Sequence, residues 1–375
     1  MKWILFLMLA VQSLAQWTVK DKNIYYNNKK VNLKGINWFG FETQDFVING
    51  LWQHPMEFYM DLMHQNDFNV LRIPFSEEWI RYNFNLYPDN GLVIADPNNQ
   101  HKKSIEIMDR LFDLAEERGM LIMLDLHRIR KEQINNLWYI QNDPQYSGNS
   151  YLQTWFDILD RYANRPNLFA ADLLNEPHDI ASWGTGNPST DFDKLAGYTI
   201  EQIADRYSNE TFLFFVEGIN WGKDLTGVRN HPIVLPDNLQ NRLVYSAHNY
   251  GPSVVWGIPS YDRGSLYDNW YQFFGYIMDD MNLKVVPGEW GGRYNFQDDI
   301  TWMNTFRDYM IEKGMTDNFY WSLGPNSGDV EGLLLNDWTN INQDKLNLIN
   351  SVQTNPTVFT FTKPNLKKEN VVYIN

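Results

Sequence analysis

The chain has 375 residues, 31 of them Lys or Arg and 46 Asp or Glu, so its formal charge is 31 − 46 = −15. That balance argues against nucleic acid as a partner, because phosphate binding needs a basic surface that releases counterions. With 43% hydrophobic and 15% aromatic residues against 21% charged, the chain can bury a large core, and disordered, fibrous and small disulfide-stapled classes drop out.

At the N-terminus, Met1-Lys2 precedes an apolar run from Trp3 to Val11, with the small residues Ser13 and Ala15 after it. This is the pattern of a secretory signal peptide cleaved after Ala15. The run is shorter than the ~20 apolar residues that span a bilayer, so no membrane association is expected after cleavage. The remaining 375 − 15 = 360 residues would fold outside the cytosol, where Asn209-Glu210-Thr211 is a glycosylation acceptor. The absence of cysteine removes disulfides, thiolate metal sites and cysteine nucleophiles. Seven histidines without an HExxH or His-x-His cluster carry no metal signature, and neither metal nor cofactor is expected.

Residues 17–33 read as a β-hairpin that caps one end of the fold. Eight β-type runs then alternate with amphipathic helical ones. The predicted strands are Val31 to Asn37, Phe68 to Ile73, Met120 to Leu126, Leu168 to Leu174, Phe212 to Val216, Arg242 to Ala247, Lys284 to Pro287 and Asn318 to Trp321. Several are nearly continuous apolar runs, as suits strands covered on both faces. Stripes at helical spacing lie between them: Ile105, Met108, Leu111 and Phe112; Phe192, Ala196, Thr199, Ile200 and Ile203; Trp302, Met303, Phe306 and Met310. This order predicts an α/β chain folded as a single-domain (β/α)8 TIM barrel over residues 16–354, with 355–375 a loosely attached tail and the hairpin at the barrel bottom. A dinucleotide-binding doubly wound sheet would need a GxGxxG loop after its first strand, and none occurs.

Barrels carry their active sites at the C-terminal ends of the strands. Here those ends are loaded with Arg72, His127, Asn175-Glu176-Pro177, His248-Asn249-Tyr250, Gly288-Glu289-Trp290 and Trp321. Any one of these, alone, reads as a salt bridge, a cap or a satisfied core group; six at one rim point to chemistry. Two carboxylates facing one cleft can divide the work at a glycosidic bond, one protonating the leaving oxygen and the other meeting positive charge at the anomeric carbon.

The motifs Leu174-Asn175-Glu176-Pro177, His248-Asn249-Tyr250, Gly288-Glu289-Trp290 and Trp321-Ser322 resemble the signature of glycoside hydrolase family 5. Gly35-Ile36-Asn37-Trp38-Phe39-Gly40-Phe41-Glu42-Thr43 and Asn326-Ser327-Gly328-Asp329-Val330-Glu331-Gly332 are similar to its endo-β-1,4-glucanase branch. The likeness spans about residues 31–352. It implies a retaining mechanism with Glu176 as acid/base and Glu289 as nucleophile. Asn175 would bond the sugar 2-hydroxyl, and Arg72 and Tyr250 would hold Glu289 ionised. His127 and His248 would bind hydroxyls or tune the acid, and Trp321 would floor the cleft. Relatives can carry cysteine where this chain has Gln44, a difference that touches loop stability.

Of 15 tryptophans, Trp38, Trp221, Trp256, Trp290 and Trp321 fall in loops or strand ends where a flat ring can pack against a pyranose; ordinary packing is the alternative for each. Glu42, Asp329 and Glu331 are candidates for outer hydroxyls. The expected partner is a neutral β-glucan polysaccharide, since polyanions would be repelled, and a monomer is expected. A β-mannanase or mixed-linkage glucanase of the same fold, or an inactive sugar-binding protein, are the alternatives. A serine hydrolase would need a Gly-x-Ser-x-Gly elbow, which is absent.

Overall fold

A computed structural model describes residues 16–361 and 372–374. The proposed signal peptide, residues 1–15, lies outside the described residues. Three short antiparallel strands come first: β1 (Trp17–Lys20), β2 (Asn23–Tyr26) and β3 (Lys29–Val31). The expected hairpin is therefore a three-stranded meander. Two two-residue turns make it, Asp21-Lys22 and Asn27-Asn28, with φ of 48°, 63°, 49° and 62°. Turns with positive φ at both positions match the strand twist and reverse the chain tightly.

Eight parallel strands come next: β4 (Lys34–Asn37), β5 (Val70–Ser76), β6 (Leu121–Arg128), β7 (Leu168–Asp172), β8 (Leu213–Glu217), β9 (Leu243–Tyr250), β10 (Val285–Gly291) and β11 (Asn318–Tyr320). They pair in chain order and close where β11 meets β4. The run expected to begin at Val31 is split, because Val31 pairs within the meander. Helices intervene: α1 (Met56–Gln65), α2 (Ser104–Glu117), α3 (Gly148–Tyr162), α4 (Phe192–Arg206), the short α5 (Asp237–Gln240), α6 (Arg263–Trp270), the short α7 (Tyr276–Asp279) and α8 (Gln297–Lys313), with α9 (Gln343–Val352) after the last strand. The predicted stripes are their buried faces. The fold is a (β/α)8 barrel.

Alternation along each strand sends every second side chain into the lumen. At the lower end these are apolar. Val70, Leu121, Met123, Phe215, Val244 and Phe319 cluster with Trp17, Ile24 and Val31 of the meander, which plugs the base. One step further up, the same faces become ionic at Arg72, Asp125 and Glu217.

Strand β10 departs from simple alternation. Pro287 pairs with Ala247, but Glu289 pairs with the next residue, His248, leaving Gly288 as a bulge. A Cβ on Gly288 would sit 2.3 Å from Ser246 Oγ. The extra residue lets both Gly288 and Glu289 face the lumen, and Trp290 turns outward against Phe306 and Tyr320.

The segment expected to hang loosely from residue 355 is pinned at its start. Asn69 Nδ2 donates to Thr357 O at 2.9 Å, Thr357 N donates to Asn32 O, and Phe359 is buried in the basal cluster. Strand β12 (Phe359–Phe361) then pairs with β13 (Val372–Ile374).

Close packing of the lumen gives a direct test. A Cβ at Gly35 would lie 2.3 Å from Phe319 Cδ1 and 2.7 Å from Asn318 O. Gly35→Ala is expected to cost about 1–3 kcal/mol by overpacking; a urea melt superimposable on that of the parent would contradict this account of the layer.

Candidate active site

Arg72 stands at the centre of the upper lumen with its side chain fully buried. Its five N–H groups are all used. Nε donates to Asp172 Oδ2 at 2.9 Å, Nη1 to Asn37 Oδ1 at 3.0 Å and Glu289 Oε1 at 2.6 Å, and Nη2 to Asn175 Oδ1 at 2.9 Å and Glu217 Oε1 at 3.1 Å. Asp125 Oδ2 lies 3.1 Å from Nη2 as well. One guanidinium thereby ties together residues from β4, β5, β6, β7, β8 and β10 and the turn after β7.

Glu289 is gripped twice. Arg72 holds one oxygen, and Tyr250 Oη donates to the other, Oε2, at 2.6 Å. Burial alone would raise the Glu289 pKa, but the nearby His248 and Arg72 charges and the Tyr250 hydrogen bond outweigh it and hold the carboxylate below its ordinary range. Burial with the Glu289 charge beside it drives Tyr250 up, so the phenol stays a donor.

Glu176 follows β7 in a left-handed conformation, φ +50°. A non-glycine residue there is strained and needs its surroundings to hold it. Those are present: its N–H donates to Glu217 Oε2 at 2.7 Å, and its carbonyl accepts from His178 Nδ1 at 2.7 Å. Burial, assisted by the charges of Glu289 and Glu217 and opposed by His248, pushes the Glu176 pKa up to about 7. Two carboxyl groups in one cleft are thus biased in opposite directions.

His248 lies among three carboxylates: Nδ1 is 3.1 Å from Glu176 Oε1 and 3.5 Å from Glu289 Oε2, and Nε2 is 3.2 Å from Glu217 Oε1. Burial disfavours its charged form, but Glu217 and Glu289 overcome that and raise its pKa. Its side chain has no exposure, and it lies against the carboxyls at the wall of the cleft. His127 goes the other way: burial keeps it neutral, Nδ1 contacts Asp125 Oδ2 at 2.7 Å, and Nε2 is 3.4 Å from Asn175 Nδ2.

These groups open into a cleft of about 620 Å³ lined by His127, Glu176, Trp221, Tyr250, Glu289, Trp321 and Asp329, among others. Trp321 stacks between His127 at 5.3 Å and Phe39 at 5.5 Å. Trp221, 48% exposed, stacks on His178 at 3.7 Å. Trp256 is 94% exposed on the loop whose Val254 and Val255 line the cleft.

Three candidates are corrected. Trp38 is 1% exposed and donates through Nε1 to Asn49 O, and Trp290 is fully buried with Nε1 on Asn318 Oδ1. Both rings pack outside the lumen, where no sugar reaches. Glu42 is also buried, its carboxylate accepting the Gly40 N–H at 2.7 Å, so it shapes its own turn. Glu331, half exposed, lies 3.7 Å from Arg293.

Asp125, Asp172, Glu217, Asn37 and Phe39 were not singled out from sequence. Glu217 had a signal, since it directly follows the predicted fifth strand. The aspartates sit inside their strands, and only their two-residue spacing from Met123 and Ala170 hinted at a lumen position. Among the described residues, Asp172, Glu217 and His248, or Glu176, His248 and Glu289, come close enough to hold a metal ion, yet Arg72 already sets a cation on three of those carboxylates.

Removing that cation should be costly. Arg72→Met is expected to lose about 3–5 kcal/mol of stability at neutral pH, because it strands buried carboxyls. A loss below about 1 kcal/mol, the scale of an exposed ion pair, would contradict this.

The model of the family described as Cellulase (glycosyl hydrolase family 5) matches residues 26–327. An endoglucanase of Paenibacillus polymyxa is 35% identical over 358 residues, covering 89% of this chain and 86% of that protein. The major extracellular endoglucanase of Xanthomonas campestris pv. campestris is 33% identical, covering 87% of this chain and 68% of that protein. Among solved structures, the hyperthermophilic endocellulase of Pyrococcus horikoshii superposes with a TM-score of 0.83 at 33% identity, over 91% of this chain and 99% of that one. Variants of an endocellulase from Pyrococcus horikoshii have been solved with cellotetraose. With this match over most of its length and the barrel to go with it, the chain belongs to glycosyl hydrolase family 5 and is a glycoside hydrolase.

Proposed function

We propose that the protein is a secreted endo-β-1,4-glucanase that cleaves internal glucosidic bonds with retention, Glu289 acting as nucleophile and Glu176 as acid/base. The observation that carries the reading is the pair itself. Glu176 and Glu289 each offer an oxygen within 4.8 Å of the other. Retaining enzymes hold the carboxyl groups about 5–5.5 Å apart, whereas inverting ones need about 6.5–9.5 Å to admit water between them.

In the first step Glu289, kept ionised by Arg72 and Tyr250, attacks the anomeric carbon as the proton on Glu176 passes to the leaving oxygen. In the second, Glu176 takes a proton from water, and the resulting hydroxide displaces Glu289 from the anomeric carbon. Asn175, its Oδ1 fixed by Arg72, keeps an Nδ2 hydrogen for the 2-hydroxyl. Trp321 supplies an apolar floor, and Trp221 and Trp256 are sugar platforms further out. The names of the relatives support a β-glucan substrate and an endo mode, the cellotetraose complexes support a cleft for several sugars, and the extracellular relative together with the apolar N-terminus supports secretion.

Activity should be bell-shaped in pH. It needs Glu289 ionised, which holds down to below the usual carboxylate range, and Glu176 protonated, which is lost as pH rises through about 7. Glu176→Gln should lower kcat by roughly 10²–10⁴-fold and abolish the alkaline limb; an unchanged limb would exclude Glu176 as the acid.

Reducing-end release from carboxymethyl cellulose, barley β-glucan, galactomannan and xylan, run beside Glu289→Ala, tests the whole reading. Activity on glucans with a rapid fall in viscosity, a β-anomer as first product by NMR and none of this in the variant is the expected result. An α-anomer would overturn retention, and a preference for galactomannan would overturn the substrate.

A further inference from the structure

Five consecutive backbone carbonyls after β11 are each met by a cation. Arg293 donates from Nη2 to Gly328 O at 2.8 Å and from Nε to Asp329 O at 3.0 Å. Lys345, in the first turn of α9, donates from Nζ to Val330 O at 2.8 Å, Glu331 O at 3.1 Å and Gly332 O at 2.8 Å. That exhausts the three N–H groups of the lysine, which is 1% exposed.

The backbone between them is not regular. Glu331 has φ +56° and Gly332 +37°, and a Cβ on Gly332 would lie 2.0 Å from Gly324 O. Carbonyls gathered on one side of such a segment have no helix or sheet partners, and leaving buried ones unpaired is costly. The same segment walls the cleft. Ser327, Asp329 and Val330 line it, and Trp321 Nε1 donates to Ser327 Oγ at 3.0 Å.

We propose that Lys345 and Arg293 are positioning residues for substrate: by clamping residues 328–332 they hold this wall of the cleft in place and, through Ser327, fix the Trp321 ring. Neither residue touches the reacting atoms. The inference rests on the reading of this cleft as the polysaccharide groove. A clamp of this kind acts on binding of the chain more than on bond cleavage, which separates it from a general stabilising role.

Arg293→Met, Arg293→Lys and Lys345→Met would be compared with the parent for kcat and KM on carboxymethyl cellulose, and for the rate of cutting after Glu331 by a glutamate-specific protease. Both methionine variants are expected to raise KM about fivefold or more with kcat within about threefold, and Arg293→Lys to recover part of the effect. Cutting at Glu331 should speed up roughly tenfold as the loop opens. Arg293 is 40% exposed on its side chain, so its variants decide the matter if Lys345→Met does not fold. KM within about twofold of the parent in folded Arg293→Met overturns the proposal, as does a kcat loss as large as the loss in kcat/KM. A parent enzyme inert on every glucan overturns the functional reading and with it the substrate role, whereas the protease arm still decides whether the two cations order the loop.

Discussion

The upper half of this barrel depends on one buried guanidinium. A lumen built of eight strands brings polar side chains inward from all directions, and their charges must be met without water. Arg72 does this because its planar fork offers five donors in fixed directions, and each finds an acceptor on a different residue. A lysine at the same height would present a point charge with three donors and could not reach that set. The apolar plug below, closed by the meander, keeps the polar layer dry from underneath.

From this constraint the electrostatics of the cleft follow. Asp125, Asp172, Glu176, Glu217 and Glu289 crowd around two cationic side chains, Arg72 and His248, so they cannot all be ionised together. Protons settle where the charged form is least supported. Burial pushes Asp172 and Glu217 up to about 7, as it does Glu176, while Glu289 keeps its charge because Arg72, His248 and Tyr250 all favour it. The division between a neutral and an ionised carboxyl, which the proposed mechanism needs, comes from unequal partners in a shared shell.

Two local departures from regular backbone aim the pair. The bulge at Gly288 turns Glu289 inward where alternation would have sent it out, and the left-handed turn at Glu176 swings its carboxyl off the end of β7. Glu217 serves both: it accepts the Glu176 N–H and an Arg72 N–H, so the support of one carboxyl is mechanically joined to that of the other. Opposite them, the wall of the cleft is an irregular segment whose carbonyls are held by Lys345 and Arg293.

By itself the sequence determined the barrel, its eight strands and the residue types at its rim, because hydrophobic alternation and residue type are local properties that survive into any packing. Arg72, Asn175, Glu176, His248, Tyr250 and Glu289 were legible for that reason. Which neighbour in a pair faces the cleft was not. Trp38 and Trp290 were expected in the groove and are core, while their neighbours face inward, Phe39 unforeseen and Glu289 as expected, because facing depends on the register of one strand against the next and on a bulge that shifts it. Glu42 was misread for a similar cause: its carboxylate bonds its own turn. The hairpin that became a meander turned on two positive-φ dipeptides. Only the tertiary structure could gather Asp125, Asp172 and Glu217 around Arg72, since residues up to 217 positions apart meet there, and only that meeting decides which carboxyl keeps its proton.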